Sequence, residues 1–331
     1  MVTGLRRSLG CLNIAMAGLV VACNPTFGDQ TSLVAGPRLL AVQASPAEAV
    51  PGTGFSLTAL YVAAGGIADA STVSWATCTM PKPLGDPGPI DPGCFVDASS
   101  GLLPLGEGES VNGAVPSNAC QLFGPDSPPP TAGQPAARPT DPDSTGGFYL
   151  PIRIETSSTA FSAALERITC QPSGVSQSVF TSFSSGYLPN QNPVIASLSR
   201  LDADGGTTTI PPLGHGVSAG LTVSPGERVS FQAAWPTCPT TPTLCGGAEA
   251  YLYIDPTSKE ITTQRESMVV SWYATAGTFD LDRVGRDAAD LATTAVNGWV
   301  APPSSGPLSV WIVVRDARGG VGWESYAVSV E

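Results

Sequence analysis

Pro51-Gly52-Thr53-Gly54-Phe55-Ser56-Leu57-Thr58-Ala59-Leu60-Tyr61 returns later in the chain as Pro225-Gly226-Glu227-Arg228-Val229-Ser230-Phe231-Gln232-Ala233-Ala234-Trp235. Both stretches run proline, glycine, two variable positions, apolar, serine, apolar, polar, alanine, a variable position and an aromatic. The Pro-Gly pair makes a turn, because proline presets one backbone angle and glycine accepts the other. Alternation then places Phe55, Leu57, Ala59 and Tyr61 on one face of a strand. It does the same for Val229, Phe231, Ala233 and Trp235 in the second stretch. The pattern predicts two half-buried β-strands, each entered from a tight turn.

Three further matches follow in the same order. Val73-Ser74-Trp75-Ala76-Thr77 pairs with Val270-Ser271-Trp272-Tyr273-Ala274-Thr275, and Val111-Asn112-Gly113-Ala114-Val115-Pro116 with Val296-Asn297-Gly298-Trp299-Val300-Ala301-Pro302. The run Leu150 to Glu155 pairs with Val310 to Asp316. Ordered matches of this kind mean one unit used twice. Many short strands without a long amphipathic helix predict an all-β chain of two antiparallel sandwiches. The expected boundaries are 37–190 and 191–331, with a Pro/Gly-rich insertion at 79–147 that holds 14 prolines and 11 glycines. Residues 171–192 read as a Ser-rich joint crossed by few contacts, so Trp75→Ala and Trp272→Ala should each unfold one domain alone. Val179, Thr181 and Phe183 alternate there and suggest a last strand of domain one, while Ala160 to Thr169 fits a short helix or that strand.

The Trp on the third strand of each copy resembles the Ig-like plan. The ending Val310-Trp311-Ile312-Val313-Val314-Arg315-Asp316-Ala317-Arg318-Gly319-Gly320-Val321-Gly322-Trp323 resembles the last hairpin of PKD-like modules.

At the N-terminus, Arg6 and Arg7 precede an apolar run from Leu9 to Val21 that is too short to span a bilayer. It closes on Leu19-Val20-Val21-Ala22-Cys23, which resembles the lipobox of bacterial lipoproteins. That resemblance implies a signal peptide over 1–22, removed on export, and acylation of Cys23. It also implies a tether over 23–36, read as flexible because it is small, polar and aperiodic. Several acyl chains on one residue give a stable anchor where one chain gives a marginal one. Asn24 rather than Asp after the cysteine leans toward the outer membrane in that family. With the two repeats, the whole is similar to tandem Ig-like/PKD-like lipoproteins of myxobacteria. The implied partner is the lipid bilayer, through Cys23, with an envelope protein or glycan as a further one.

Composition fits an exported β-protein. Only 13% of the 331 residues are charged, with 37 glycines and 32 prolines. The net charge of −12 argues against nucleic acid and against docking on anionic lipid. Besides Cys11 and Cys23, six cysteines remain: Cys78, Cys94, Cys120, Cys170, Cys238 and Cys245. An even set in an exported chain predicts three disulfides rather than a metal site, for which ligand spacing and histidines are lacking. Cys238 and Cys245 suit a small closed loop. An Ig-like plan would gather Cys78, Cys120 and Cys170 at one pole, which favours Cys78–Cys94 with Cys120–Cys170; Cys78–Cys170 is the alternative.

Signals for chemistry are weak. Gly216-Val217-Ser218-Ala219-Gly220 matches the nucleophile-elbow pattern, but the residues after it read as a strand and a turn where the elbow needs a helix. His215 is the single histidine, too close in sequence to Ser218 to act as its base. Asp202-Ala203-Asp204-Gly205-Gly206 opens like a calcium loop without its bidentate Glu, and Asp280 with Asp282 forms another acidic pair. Asp316 before Arg318-Gly319-Gly320 reads as a hairpin turn. Trp235, Trp272 and Trp311 fall where the repeat faces its core, leaving Trp299 and Trp323 as candidate sugar platforms. The sequence therefore predicts a non-catalytic envelope protein without cofactor or metal, the alternative being a carbohydrate-binding lipoprotein that uses Trp299 and Trp323.

Overall fold

The computed structural model describes residues 31–81, 90–97, 99–125, 147–157, 159–202, 204–213 and 220–331. Cys23 and its lipobox, residues 24–30 of the expected tether, His215 and Ser218 lie outside the described residues.

Among the described residues the first sandwich has nine strands: β1 (Arg38–Ser45), β2 (Glu48–Ala49), β3 (Gly54–Ala63), β4 (Gly66–Ile67), β5 (Ser74–Cys78), β6 (Leu102–Glu107), β7 (Ser110–Ala114), β8 (Gly147–Thr156) and β9 (Thr159–Thr169). One sheet runs β1-β3-β4 with β7 also on β3, and the other runs β2-β9-β8-β5-β6. Phe55, Leu57, Ala59, Trp75, Leu150, Ile152 and Ile154 fill the space between them. The chain leaves one sheet for the other at Pro46, after which β2 pairs with β9 in parallel.

The second sandwich repeats that plan with β10 (Ser197–Leu201), β11 (Thr207–Ile210), β12 (Leu221–Val223) and β13 (Arg228–Ala234), followed after a side hairpin of β14 (Ala250–Ile254) and β15 (Ile261–Arg265) by β16 (Met268–Ala274), β17 (Thr278–Phe279), β18 (Arg283–Arg286), β19 (Thr294–Val300), β20 (Gly306–Asp316) and β21 (Val321–Val330). Its sheets run β11-β10-β13-β19-β17 and β12-β21-β20-β16-β18. The order β12-β21-β20-β16-β18 copies β2-β9-β8-β5-β6 strand for strand, including the parallel edge pair. Trp75 lies opposite Ile154, and Trp272 lies opposite Ile312. The chain is thus all-β, with two Ig-like antiparallel sandwiches.

The Val-Asn-Gly match is out by one residue. Phe55 lies opposite Gly113, whereas Val229 lies opposite Trp299. Counting back from Pro116 and Pro302 gives the true equivalence, in which Val115 answers Ala301: their amides donate to the carbonyls of Thr53 and Glu227, which hold the same place in the two repeats. A slip of one turns every side chain to the other face of a strand. Val111 accordingly points inward and Val296 outward. The volumes are exchanged across the pair: the Phe55 ring fills the place over Gly113, where a Cβ would come within 2.6 Å of its Cζ, and Trp299 fills the place over Val229.

Other expectations change as well. The range 79–147 includes β6 and β7, which are sandwich strands, while 82–89, 98 and 126–146 fall outside the described residues. Residues 159–169 form β9, so the last strand precedes the joint. The joint itself carries α1 (Gln177–Gly186), capped by the Ser176 hydroxyl, which accepts from the Val179 amide. Its spacing is helical after all: the Phe183 ring packs on Tyr187 four residues on.

The two sandwiches are pressed together. Leu40 and Ala41 of β1 with Leu60 and Val62 of β3 meet Tyr273, Trp311 and Val313 of the second sandwich in a third apolar cluster. Trp311 therefore faces its neighbour, on the outer side of β20, and not its own core. Val34 is fully buried in the same cluster. Residues 31–36 are thus a strap, not a loose tether: the Val34 amide donates to the Ala274 carbonyl, the Ala274 amide to the Ser32 carbonyl, and the Ser32 amide to Asp282.

Candidate functional site

The six cysteines form three disulfides, Cys78–Cys94, Cys120–Cys170 and Cys238–Cys245. The first two close the pole where β5 ends and β9 runs out.

The structure buries one sugar-platform candidate, Trp299, and leaves the other, Trp323, half-buried. Trp299 has no exposed surface and packs against Phe231 and Phe279 within the second core. Trp323 packs against the cluster between the sandwiches, across β20–β21 from Val313. A stacking platform needs an open ring face, and Trp299 offers none. Trp299 was misplaced by the one-residue slip, and counting from Pro302 would have turned it inward.

The acidic pairs are engaged in turns. Asp202 and Asp204 bind the β10–β11 hairpin, with Asp202 accepting from Thr208 and Asp204 from the Gly206 amide. Asp280 pairs with Arg228, and Asp282 holds the strap. Among the described residues, no group of three or more His, Cys, Asp or Glu side chains is arranged to hold a metal ion. No helix among them is long and apolar enough to cross a membrane.

The concentration of ionisable chemistry that the sequence did not reveal lies at the joint. In the first sandwich, Glu48 is buried on β2 beside Arg167 of β9, whose Nε donates to it at 3.0 Å. Thr169, Tyr187 and the Asn190 amide also donate to Glu48. In the second, Arg318 in the β20–β21 turn donates from Nε to Glu266 at 2.7 Å and from Nη2 to Glu249 at 3.2 Å. Its guanidinium also lies over the Tyr251 ring and donates to the Leu188 carbonyl. Asp316 accepts from the Arg318 and Gly320 amides, closing the turn as its sequence suggested.

Asn190 joins the halves, giving its backbone amide to Glu48 and its side-chain nitrogen to Asp316. Tyr149 bridges as well, accepting from Arg167 and donating to the Arg318 carbonyl at 3.5 Å. Burial, with Asp316 as a second negative charge nearby, pushes the Glu266 carboxyl up to about 8 against the pull of Arg318. Burial likewise raises Asp316. An open cleft of about 500 Å³ borders this network, lined by Pro46, Ala47, Asn192, Val194, Leu244 and Cys245. Its walls carry no pairing of nucleophile and base.

No protein-family model matches the chain, and no curated protein matches it. Solved structures similar to it include the D00-D0 domain of intimin, at 9% identity and a TM-score of 0.22, covering 88% of this chain and 100% of that one. The fibronectin(III)-like modules of Clostridium thermocellum CbhA overlap at 8% identity and TM-score 0.22, covering 88% of this chain and 94% of theirs. The Yersinia pseudotuberculosis adhesin InvE overlaps at 8% identity and TM-score 0.21, covering 88% of this chain and 58% of its own. Superposition this loose carries nothing over to this chain, and the Ig-like assignment rests on the strand pairing described above.

Proposed function

We propose that this chain is a cell-envelope protein, held to a membrane by lipid on Cys23, with a binding or structural role rather than a catalytic one. The observation that carries the non-catalytic part is the joint. Glu48, Arg167, Glu249, Glu266, Asp316 and Arg318 are all buried, and each is bonded to other groups of this chain. Active sites keep perturbed ionisable groups open to a substrate; here they fasten two sandwiches to each other. The anchoring part is supported by Leu19-Val20-Val21-Ala22-Cys23 behind a short apolar run. Asn24 favours the outer membrane for the anchored form. A sugar-binding role could not use Trp299, which lies within the second core.

The test is Cys23→Ser in the natural host. The unaltered chain should partition into detergent and resist a high-salt wash, and the variant should move to the soluble fraction. A variant that stays in the membrane overturns the anchoring reading.

A further inference from the structure

Carboxylates outnumber guanidiniums at the joint. Glu48, Glu249, Glu266 and Asp316 face only Arg167 and Arg318, all at most 9% exposed. Glu48 is well served, with Arg167, Tyr187, Thr169 and the Asn190 amide around it. The other three acids share one cation. Glu249 comes from the segment before β14, Glu266 from between β15 and β16, and Asp316 and Arg318 from the β20–β21 turn. The groups packed against them are Tyr251 on β14, Tyr187 and Asn190 from the linker, and Tyr149 and Arg167 from the first sandwich. None of these adds a positive charge beyond Arg167, which already serves Glu48.

Three ionised carboxylates around one guanidinium, out of water, leave an uncompensated negative charge in a region of low polarisability. The chain avoids that charge if one carboxyl keeps its proton. Glu266 is best placed to do so, since its two oxygens face only Arg318 Nε and the Glu249 amide. The turn that carries Asp316 and Arg318 is also one of the parts of the second sandwich that touch the first, here through Asn190 and Tyr149. Charge added here therefore acts on the contact between sandwiches and not on either core.

We propose that the joint is a proton-gated latch: closed while Glu266 or Asp316, crowded with Glu249 around the one guanidinium of Arg318, holds a proton, and loosened when alkaline conditions remove it. The direction follows from linkage. A carboxyl that binds its proton more tightly in the closed form than in the open one favours closure at low pH, and that preference fades as the proton leaves. Glu266, raised to about 8 by burial, sets the window between its ordinary value of 4.5 and about 8. A body displayed outside the cytoplasm would then stiffen or slacken with the pH of its surroundings.

Hydrogen exchange on the full mature chain tests this, with each rate corrected for the intrinsic pH dependence of exchange. From pH 6 to pH 9, the amides of Asn190, Arg318, Gly320 and Val321 should lose at least about ten-fold in protection, since one proton gives up to ten-fold per pH unit. Amides in β16 and β20 should stay protected. Glu266→Gln should flatten the pH dependence at the joint, and Glu249→Gln is the second variant if the first does not fold. Glu166→Gln, inside the first core, should leave the joint dependence as it is. Joint protection that does not change with pH, or that changes in both joint variants as much as in the unaltered chain, overturns the proposal.

Discussion

The outer faces of the two large sheets occupy the same lattice positions and carry opposite chemistry. In the first sandwich, Ala76 on β5 lies across from Arg153 on β8, and Ser74 across from Glu155. In the second, the equivalent pairs are Tyr273 with Trp311 and Ser271 with Val313. Arg153 is held in place by Asp97 and Glu155 and lies on the Phe161 ring. Tyr273, Trp311 and Val313 are covered by β1 and β3 of the neighbour. One strand plan thus supports a polar face closed by groups of its own sandwich and an apolar face docked on the neighbour. Inner faces set the fold, and outer faces set what the fold is joined to.

The largest effect expected from testing that contrast comes from the two equivalent tryptophans. Trp75→Ala and Trp272→Ala should each cost ~3–5 kcal/mol, as truncation of a buried aromatic does. Because the cluster around Trp311 joins the sandwiches, each variant should shift one shared calorimetric transition. Two separate transitions, with only one lowered, would break the picture of a coupled body.

Next is the joint. Arg318→Met leaves Glu249 and Glu266 buried without their cation and should cost about 3 kcal/mol in chemical denaturation. Arg167→Met should cost clearly less, because Glu48 keeps Tyr187, Thr169 and the Asn190 amide. Equal losses would mean that the hydroxyl and amide donors do not support Glu48.

The exchanged volumes can be probed by a double-mutant cycle. Gly113→Ala should cost ~1–3 kcal/mol by driving a methyl into the Phe55 ring. Phe55→Val, which copies the second sandwich, should recover most of that loss in the same background. Additive losses would show that the ring does not fill that place.

The last test reads a pH slope and not a single loss, and it concerns Glu166, which faces the first core with both carboxyl oxygens unpaired. Burial, with Glu48 nearby, raises it to about 8 from 4.5. Its folded form holds a proton that its unfolded form releases, so its contribution to stability is fully present below pH 4.5 and declines as pH rises to about 8. Glu166→Gln should flatten that decline by up to ~1.4 kcal/mol per pH unit, read from denaturation midpoints at pH 5 and pH 8. Unchanged midpoint differences would refute the assignment.

Much of each sandwich was legible because strand alternation and turn residues are local. Pro51-Gly52, Pro225-Gly226 and the two Val-Ser-Trp stretches identified matching strands. The slip at Trp299 shows the limit: the Val-Asn-Gly likeness stands one residue out of register between the copies, and that single step reverses a face without disturbing the look of the motif. The joint was illegible for a different reason. Trp311 and Val313 are apolar whichever way they point, so alternation cannot say which set faces its own core. Glu48, Arg167, Asn190, Asp316 and Arg318 are scattered along the chain, and no spacing links them. The helix over Gln177–Gly186 hid behind serines that read as linker, although Ser176 sits where a cap belongs.

The contacts of the first strand also order events in time. Gln43 donates to the Val321 carbonyl, Arg315 to the Leu40 carbonyl, and Asp282 holds Ser32, all across more than 240 residues. A chain threaded through a membrane from its N-terminus delivers β1 early and its partners last. Until Trp311 and Val313 emerge, Leu40, Leu60 and Val62 have nothing to cover them, a state that is slow to resolve and prone to aggregation. If the chain is exported as proposed, its passage should therefore depend on factors that shield nascent chains, and truncation near the C-terminus should harm the first sandwich as well as the second.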